Sequence, residues 1–367
     1  MTEPETLQQI DRTCVRFRNR KLSYFSGCDY FRLASHPKVL AAAAAGLEKF
    51  GLNVAASRMT TGNHSLYRAL EETLADYFKA EAALLVSGGY LTNLVVAQAL
   101  AGEFTHVLID EKAHASLADA SGFFECAVVR FKHRDPKSLA ATVQACGPSS
   151  RLILLTDGMF SHDGSVALLA EYLTSLPGNA FILVDDAHGA GVLGKTGKGA
   201  LEHAGVNRDR MIQTITLSKA FGAYGGAILA TKTLRQQILD HSRLFVASTP
   251  LPLPMAAAAL QSVKILKANK SLRRNLVRNT QYLKNVLSQA DFSLPETPGP
   301  IVPVVPKSEE QARLLSKALL KAGIYPPFIR YPNGPTGGYF RFVISSQHSR
   351  EQLDDLARVL VSWDPRS

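Results

Sequence analysis

Seven short apolar runs, spaced through the middle of the chain, limit its fold more than any other feature. Ala82-Ala83-Leu84-Leu85-Val86, His106-Val107-Leu108-Ile109, Ala127-Val128-Val129, Leu152-Ile153-Leu154-Leu155, Phe181-Ile182-Leu183-Val184, Ile212-Gln213-Thr214-Ile215 and Ala227-Ile228-Leu229-Ala230 all read as buried strands. Helix-length segments separate several of them. That alternation predicts an α/β fold in which helices cover both faces of a mostly parallel, seven-stranded sheet. Ligands of such sheets sit beyond the carboxyl ends of the strands. The residues that follow each run are therefore where chemistry is expected.

The rest of the chain is arranged around this block. Ser65 to Phe78 carries Leu66, Leu70, Leu74 and Tyr77 at helical spacing. The proline-dense stretch Ser248 to Pro254 cannot continue a helix or a central strand. After it the pattern predicts one long basic helix, from about Met255 to Ser288, and then strands at Ile301 to Val305 and Tyr339 to Ile344. The expected organisation is a large domain over residues 46–250 and a small C-terminal domain over 251–367. An N-terminal segment, 1–45, packs on the small domain or on a partner subunit, with Ala41 to Ala45 helical.

The formal net charge of +10 admits an anionic substrate, a membrane surface or nucleic acid. Its positive residues are scattered; the densest cluster, Arg16-Phe17-Arg18-Asn19-Arg20-Lys21, is short and terminal, which points to a solvated basic surface and to no nucleic-acid partner. Cys14, Cys28, Cys126 and Cys146 show no CxxC spacing, so neither a metal site nor a disulfide framework is expected. No apolar stretch is long enough to span a bilayer, and the acidic start Met1-Thr2-Glu3-Pro4-Glu5 has no apolar segment behind it. The expectation is a reduced, cytoplasmic protein.

Two of the runs end in chemically loaded residues. Phe181 to Val184 leads into Asp185-Asp186-Ala187-His188-Gly189, and Ile212 to Ile215 leads into Thr216-Leu217-Ser218-Lys219-Ala220-Phe221-Gly222. An acid and a histidine after one strand and a lysine after the next suit pyridoxal 5'-phosphate. The lysine can form the Schiff base, and the acid can hold the pyridine nitrogen protonated. Side chains alternate along a strand, so either Asp185 or Asp186, not both, faces the cofactor. His188 could reach the phenolic oxygen of the ring. Ser87-Gly88-Gly89-Tyr90 follows a strand and opens the helix pattern Leu91 to Leu100, a ready site for a phosphate. Thr216 and Ser218 can add hydroxyl donors to it. His114 could stack on the ring, although a lone histidine is more often structural. The guanidinium of Arg330 could hold a substrate carboxylate in a forked geometry, or form an ordinary surface ion pair.

From about Tyr24 to the C-terminus the chain resembles the α-oxoamine synthases, a branch of the fold-type I enzymes that use pyridoxal 5'-phosphate. The motifs that carry the resemblance are Thr61-Gly62-Asn63, Ala69 to Glu72, His114 to Leu117, Asp157 to Gly164, Val184 to Gly191 and Thr216 to Gly222. It implies an aspartate aminotransferase-like fold and a homodimer with shared active sites. It also implies that Lys219 carries the cofactor, that Asp185 holds the pyridine nitrogen and that His188 bonds the phenolic oxygen. By the same resemblance His114 stacks on the ring, Gly89 and Tyr90 bind through their amides, Ser161 supports the ring, and Thr216 touches the phosphate. Arg330 would read the amino-acid carboxylate, and Ser248 and Thr249 would reach the phosphate of the neighbouring subunit.

The implied reaction condenses a small α-amino acid, alanine or glycine, with an acyl-CoA and releases CoA and CO2. There are departures from the family pattern. Cys28 stands where relatives have an asparagine that helps place substrate, Tyr67 where a histidine is common, and Asn333 where a threonine occurs. Residues Gly51 to Arg58 hold fewer glycines than the matching segment in relatives. An aminotransferase or lyase of the same fold would use the same lysine, acid and arginine. A catalytically idle scaffold of this fold would have no use for them.

Overall fold

The computed structural model describes residues 5–292, 294–330 and 334–363. They group into two compact units. One takes in His36–Phe160 and Val166–Lys270; the other takes in the residues up to Ser35, the short stretch Ser161–Ser165 and the residues from Ser271 onward.

The first unit is built on a seven-stranded sheet. Across the sheet the strands run Ala82–Val86, Gly226–Ala230, Met211–Thr216, Phe181–Asp185, Leu152–Asp157, His106–Asp110 and Ala127–Phe131. Gly226–Ala230 pairs antiparallel with both of its neighbours, and the other pairs are parallel. All seven apolar runs are strands, and several extend one or two residues beyond the run. The extensions matter, because Asp157, Asp185 and Thr216 are the last residues of their strands.

Alternate residues of the sheet, among them Val107, Ile109, Ile153, Leu155, Leu183 and Ile212, join a core with Val95 and Val96 of helix Gly89–Ala99 and Leu234 and Ile238 of helix Lys232–His241. Helix Ser65–Phe78 forms where the spacing predicted it, with Leu70, Leu74 and Tyr77 buried. Its entry is held by a buried pair between Arg58 and Glu71, each 8% exposed, and Glu71 also accepts the Leu85 amide at 2.9 Å.

The single basic helix expected from Met255 to Ser288 is two helices, Leu253–Ala268 and Lys270–Gln289. Asn269 breaks them, with φ −107° and ψ 87°. Apolar periodicity continues across the break, so the pattern alone does not mark it. Helix Leu253–Ala268 lies in the first unit and packs against Pro37–Phe50, where Gly46 allows the approach: a Cβ there would stand 2.8 Å from the Ala257 Cβ. The units therefore divide after Lys270 and before His36, where the sequence reading set limits at 250 and 45.

The second unit holds two small sheets. Gln8–Gln9, Cys14–Phe17 and Arg20–Ser23 form an antiparallel meander that the apolar pattern does not reveal. Tyr339–Val343 lies between Ile301–Val304 and Phe328–Ile329 in the other. Pro303, which lacks an amide hydrogen, sits on the edge strand, where a missing donor is tolerated. Helices Lys270–Gln289, Glu309–Lys321 and Arg350–Ser362 contribute Leu283, Leu287, Leu315, Leu319, Leu353 and Leu356 to a core around Phe340 and Phe342. The N-terminal meander is stitched to this unit by the Ser23 amide to the Gly323 carbonyl, 2.7 Å, and the Tyr325 amide to the Ser23 carbonyl, 2.9 Å.

Candidate active site

A cavity of about 260 Å³ opens beyond the carboxyl ends of the central strands. Eight residues singled out from the sequence line it: Gly89, Tyr90, His114, Asp185, His188, Thr216, Ser218 and Lys219. Ser116, Asp157 and Ala187 complete the wall.

The choice between the two adjacent acids is settled by the alternation of the strand. Asp185 faces the cavity. Asp186 turns away, its Oδ2 accepting the Ala200 amide at 2.9 Å and Gln213 Nε2 at 2.6 Å. Burial raises the Asp186 carboxyl to about 7.

Asp185 is the hub of a buried network. Its Oδ2 accepts from Asn93 Nδ2 at 2.7 Å and Ser116 Oγ at 3.1 Å, and its Oδ1 accepts from the Ala187 amide at 3.1 Å. Asn93 is fully buried on helix Gly89–Ala99, and its Oδ1 accepts from Thr214 Oγ1 at 2.7 Å. Three donors on one carboxylate suit a group that must meet a cation. Neither Asn93 nor Ser116 was singled out from the sequence. The signal was weak: an asparagine inside an apolar helix pattern, and a serine two residues after His114.

His114 caps helix Ala115–Ser121. Its Nδ1 accepts from the Ser116 amide at 3.2 Å and lies 2.8 Å from Ser116 Oγ, and its own amide donates to Asp157 Oδ2 at 2.8 Å. Burial pushes the imidazole below its ordinary value; Asp185 and Asp119 oppose this and Lys219 adds to it. A mostly neutral, flat ring results. The Tyr90 ring meets the His114 ring edge-on, with centroids 6.1 Å apart, and the Tyr90 hydroxyl donates to Asp119.

The phosphate end is shaped by absent side chains. Gly89 opens an eleven-residue helix, and a Cβ there would stand 2.7 Å from both Cβ and Oγ1 of Thr216. The Thr216 Oγ1 accepts the Ser218 amide at 3.2 Å and donates to the Gly225 carbonyl at 3.2 Å. First-turn amides and two hydroxyls thus converge on one end of the cavity.

The remaining expected residues are not among those lining this cavity. Cys28, Ser161 and Arg330 belong to the second unit. There the Ser161 carbonyl accepts from Arg341 Nη1 at 3.2 Å. Arg330 is 59% exposed and pairs with Glu309 at 3.0 Å, the surface ion pair that its sequence context also allowed. The Ser248 hydroxyl donates to the Leu244 carbonyl; Ser248 and Thr249 do not line the cavity. Asn333 lies outside the described residues. Among the described residues there is no His, Cys, Asp and Glu cluster able to hold a metal ion, and no helix long and apolar enough to cross a membrane.

The cavity offers an amine, a carboxylate held by three hydrogen-bond donors, two histidines and an anion-binding helix end. That set fits pyridoxal 5'-phosphate, whose aldehyde, pyridine nitrogen, phenolic oxygen and phosphate need those four kinds of partner.

Comparison with known proteins gives the family and the fold. The profile of the aminotransferase class I and II family matches residues 25–360. An 8-amino-7-oxononanoate synthase of Thioalkalivibrio sulfidiphilus is 37% identical over 344 residues, covering 93% of this chain and 88% of that protein. One from Thermosipho melanesiensis is 36% identical over 351 residues, covering 95% and 90%. Among solved structures, serine palmitoyltransferase of S. paucimobilis with bound PLP superposes with a TM-score of 0.92 at 27% identity, covering 99% of this chain and 93% of that one. An 8-amino-7-oxononanoate synthase from Francisella tularensis shares the fold, with a TM-score of 0.80 over 93% of this chain and 97% of that one, at 24% identity.

Proposed function

We propose that this chain, which belongs to the aminotransferase class I and II family and within it to the α-oxoamine synthases, condenses alanine or glycine with an acyl-CoA. The products are an α-amino ketone, CoA and CO2. The single observation that carries the reading is the meeting of Lys219, Asp185, His188 and His114 in one cavity at the strand ends, in a chain more than one third identical to 8-amino-7-oxononanoate synthases.

When bound, pyridoxal 5'-phosphate supplies a ring that takes up the electron pair released at the α-carbon of the amino acid. Lys219 would hold it covalently, Asp185 would face its ring nitrogen and His188 its phenolic oxygen. Gly89, Tyr90, Thr216 and Ser218 would hold its phosphate, His114 would cover the ring, and Ser161 would support it.

The rest follows from the chain's own groups. The Lys219 amine takes the proton from the α-carbon and later returns one there. Arg330, by exchanging Glu309 for the substrate carboxylate, orients the bond to be broken. A carbon–carbon bond forms to the thioester carbonyl, the carbon–sulfur bond breaks, and the thiolate leaves with a proton. The carboxylate then departs as CO2. Its replacement by a proton completes the product. His114, kept neutral by burial, adds no positive charge that would compete for the carboxylate.

The active unit is a homodimer in this proposal. In it Ser248 and Thr249 would reach the phosphate of a second copy.

Release of free CoA thiol by the cofactor-loaded protein tests the reaction, with alanine, glycine and serine crossed against acyl-CoAs that include pimeloyl-CoA. Thiol release that requires both partners is expected, and the best pair identifies the substrates. Amino acids that perturb the cofactor absorbance without thiol release would move the protein to an aminotransferase or lyase.

A further inference from the structure

The cavity contains a second acid, and we infer that Asp157 is the protonated partner of Asp185, the two forming an acid–carboxylate pair across adjacent strands. Asp157 ends strand Leu152–Asp157, Asp185 ends strand Phe181–Asp185, and the two are register partners in parallel strands. Their side chains leave the sheet on the same face, and both line the cavity. They are 3% and 6% exposed. Two carboxylates so placed do not both ionise; one keeps a proton.

Donors decide which. Asp185 receives Asn93 Nδ2, Ser116 Oγ and the Ala187 amide. At Asp157, among the described residues, the His114 amide is the donor, at 2.8 Å on Oδ2. Three donors against one put the negative charge on Asp185 and the proton on Asp157. The charged surroundings agree. Burial first, then the charge of Asp185, push the Asp157 carboxyl well above its ordinary value, and Asp110 adds to the push. The His114 amide and Lys219 pull the other way.

Asp157 then has two duties. It takes up the proton that would otherwise neutralise Asp185, leaving that carboxylate charged for the ring nitrogen; this duty rests on the cofactor reading. It also fixes the backbone of His114 through Oδ2, which leaves Oδ1 to carry the O–H. That makes it a positioning residue for the imidazole and a hydrogen-bond donor in the cavity wall. Its side chain differs from Asp185 in role although both are aspartates at strand ends, and the difference comes from their donors.

Infrared difference spectroscopy of the parent protein against Asp157→Asn tests the protonation directly, both with and without cofactor. The parent should show at neutral pH the carbonyl stretch of a protonated carboxylic acid. The variant should lack the Asp157 contribution, seen as the parent-minus-variant difference, while keeping any from Asp186, and deuterium oxide should shift the difference band. Absence of that band overturns the inference whatever reaction the protein performs, so its failure is separable from failure of the substrate reading. A second readout is the pH dependence of the cofactor absorbance. Asparagine imitates a neutral acid, so Asp157→Asn should retain cofactor affinity to within about threefold, whereas Asp157→Ala, which cannot donate, should lose roughly tenfold. An Asp157→Asn profile displaced by about one pH unit or more would mean that a charge had been removed, and would equally overturn it.

Discussion

Replacing Asn93 with alanine should disable the cofactor site from one layer behind it. The side chain is fully buried and makes three hydrogen bonds: to Asp185 Oδ2 at 2.7 Å, to Ser116 Oγ at 3.0 Å, and from Thr214 Oγ1 at 2.7 Å. The bond to a carboxylate contributes about 1.5–3 kcal/mol, and the neutral bond from Thr214 about 0.5–1.5 kcal/mol. The Thr214 hydroxyl has a fallback in the Val184 carbonyl at 3.4 Å, so its loss is partial. These two shares appear in different experiments. The Asp185 share acts on the bound cofactor, and corresponds to roughly 10- to 150-fold in affinity or in kcat/KM. The Thr214 share lowers the stability of the cofactor-free protein by about 1 kcal/mol. Cofactor titration followed by absorbance measures the first, and urea unfolding of the cofactor-free protein measures the second. Asn93→Asp, which cannot donate and adds a like charge beside Asp185, should be worse than alanine in the titration. A cofactor affinity within threefold of the parent for Asn93→Ala would refute the reasoning, since it would show that Asp185 does not depend on this donor.

Other expectations follow from the same geometry. Lys219→Ala should abolish the borohydride-reducible link to the cofactor; a reducible link at another lysine would overturn the assignment. Gly89→Ala brings a Cβ to 2.7 Å from Thr216, an overpacking that typically costs about 1–3 kcal/mol, and cofactor affinity should fall by more than stability does. Arg58→Ala leaves the buried Glu71 carboxylate with only the longer Arg235 contact at 3.9 Å and the Leu85 amide, so the unfolding free energy should drop, by less than the roughly 3–5 kcal/mol of a wholly unpaired buried charge. His348 is buried against Phe25, with its pKa held down at about 3 by burial and then by Arg32, the Tyr24 carbonyl opposing. The unfolded chain protonates this residue below about 6.5 and the folded chain does not until about 3, so stability should fall as pH drops through that window, by about 1.4 kcal/mol per unit. Urea midpoints for His348→Gln should fall less steeply over the same range.

The parts of this molecule legible in the sequence are those governed by local pattern. Strands buried on both faces leave continuous apolar runs, so six strands of the large sheet were visible for that reason; the seventh, Ala127–Phe131, is an edge strand with Val128 43% exposed and was expected to be buried, while helix Ser65–Phe78 was legible from its spacing. The site residues that stood out, Lys219, Asp185 and His188, directly follow such runs or end the strands that contain them. Asn93, Ser116 and Asp157 were missed as functional residues because what makes them special is a partner far along the chain. Asn93 is 92 positions from Asp185, a juxtaposition that only strand order creates. The meander Cys14–Phe17 and Arg20–Ser23 was missed because its strands are short and polar on one side. The break at Asn269 was missed because Ile265 and Leu272 stand seven residues apart, a helical spacing that runs straight across it.

The grouping of Ser161–Ser165 with the C-terminal residues has a consequence for how the chain is made. Its anchors there are Arg341 on the Ser161 carbonyl and Thr297 on the Gly164 carbonyl. Phe25, wholly covered in the finished protein, depends on late partners as well: it joins the core around Phe340 and Phe342, and its carbonyl receives the Val343 amide. On the ribosome the first unit is complete once Lys270 has emerged, yet the head of the chain must wait for roughly 100 further residues, about 5–20 s at ordinary synthesis rates. For that interval the N-terminal hairpin lacks the partners that cover Phe25. Nascent chains stalled shortly after Lys270 should therefore recruit holdase chaperones through their first 35 residues, and lose that dependence only when the last strand arrives.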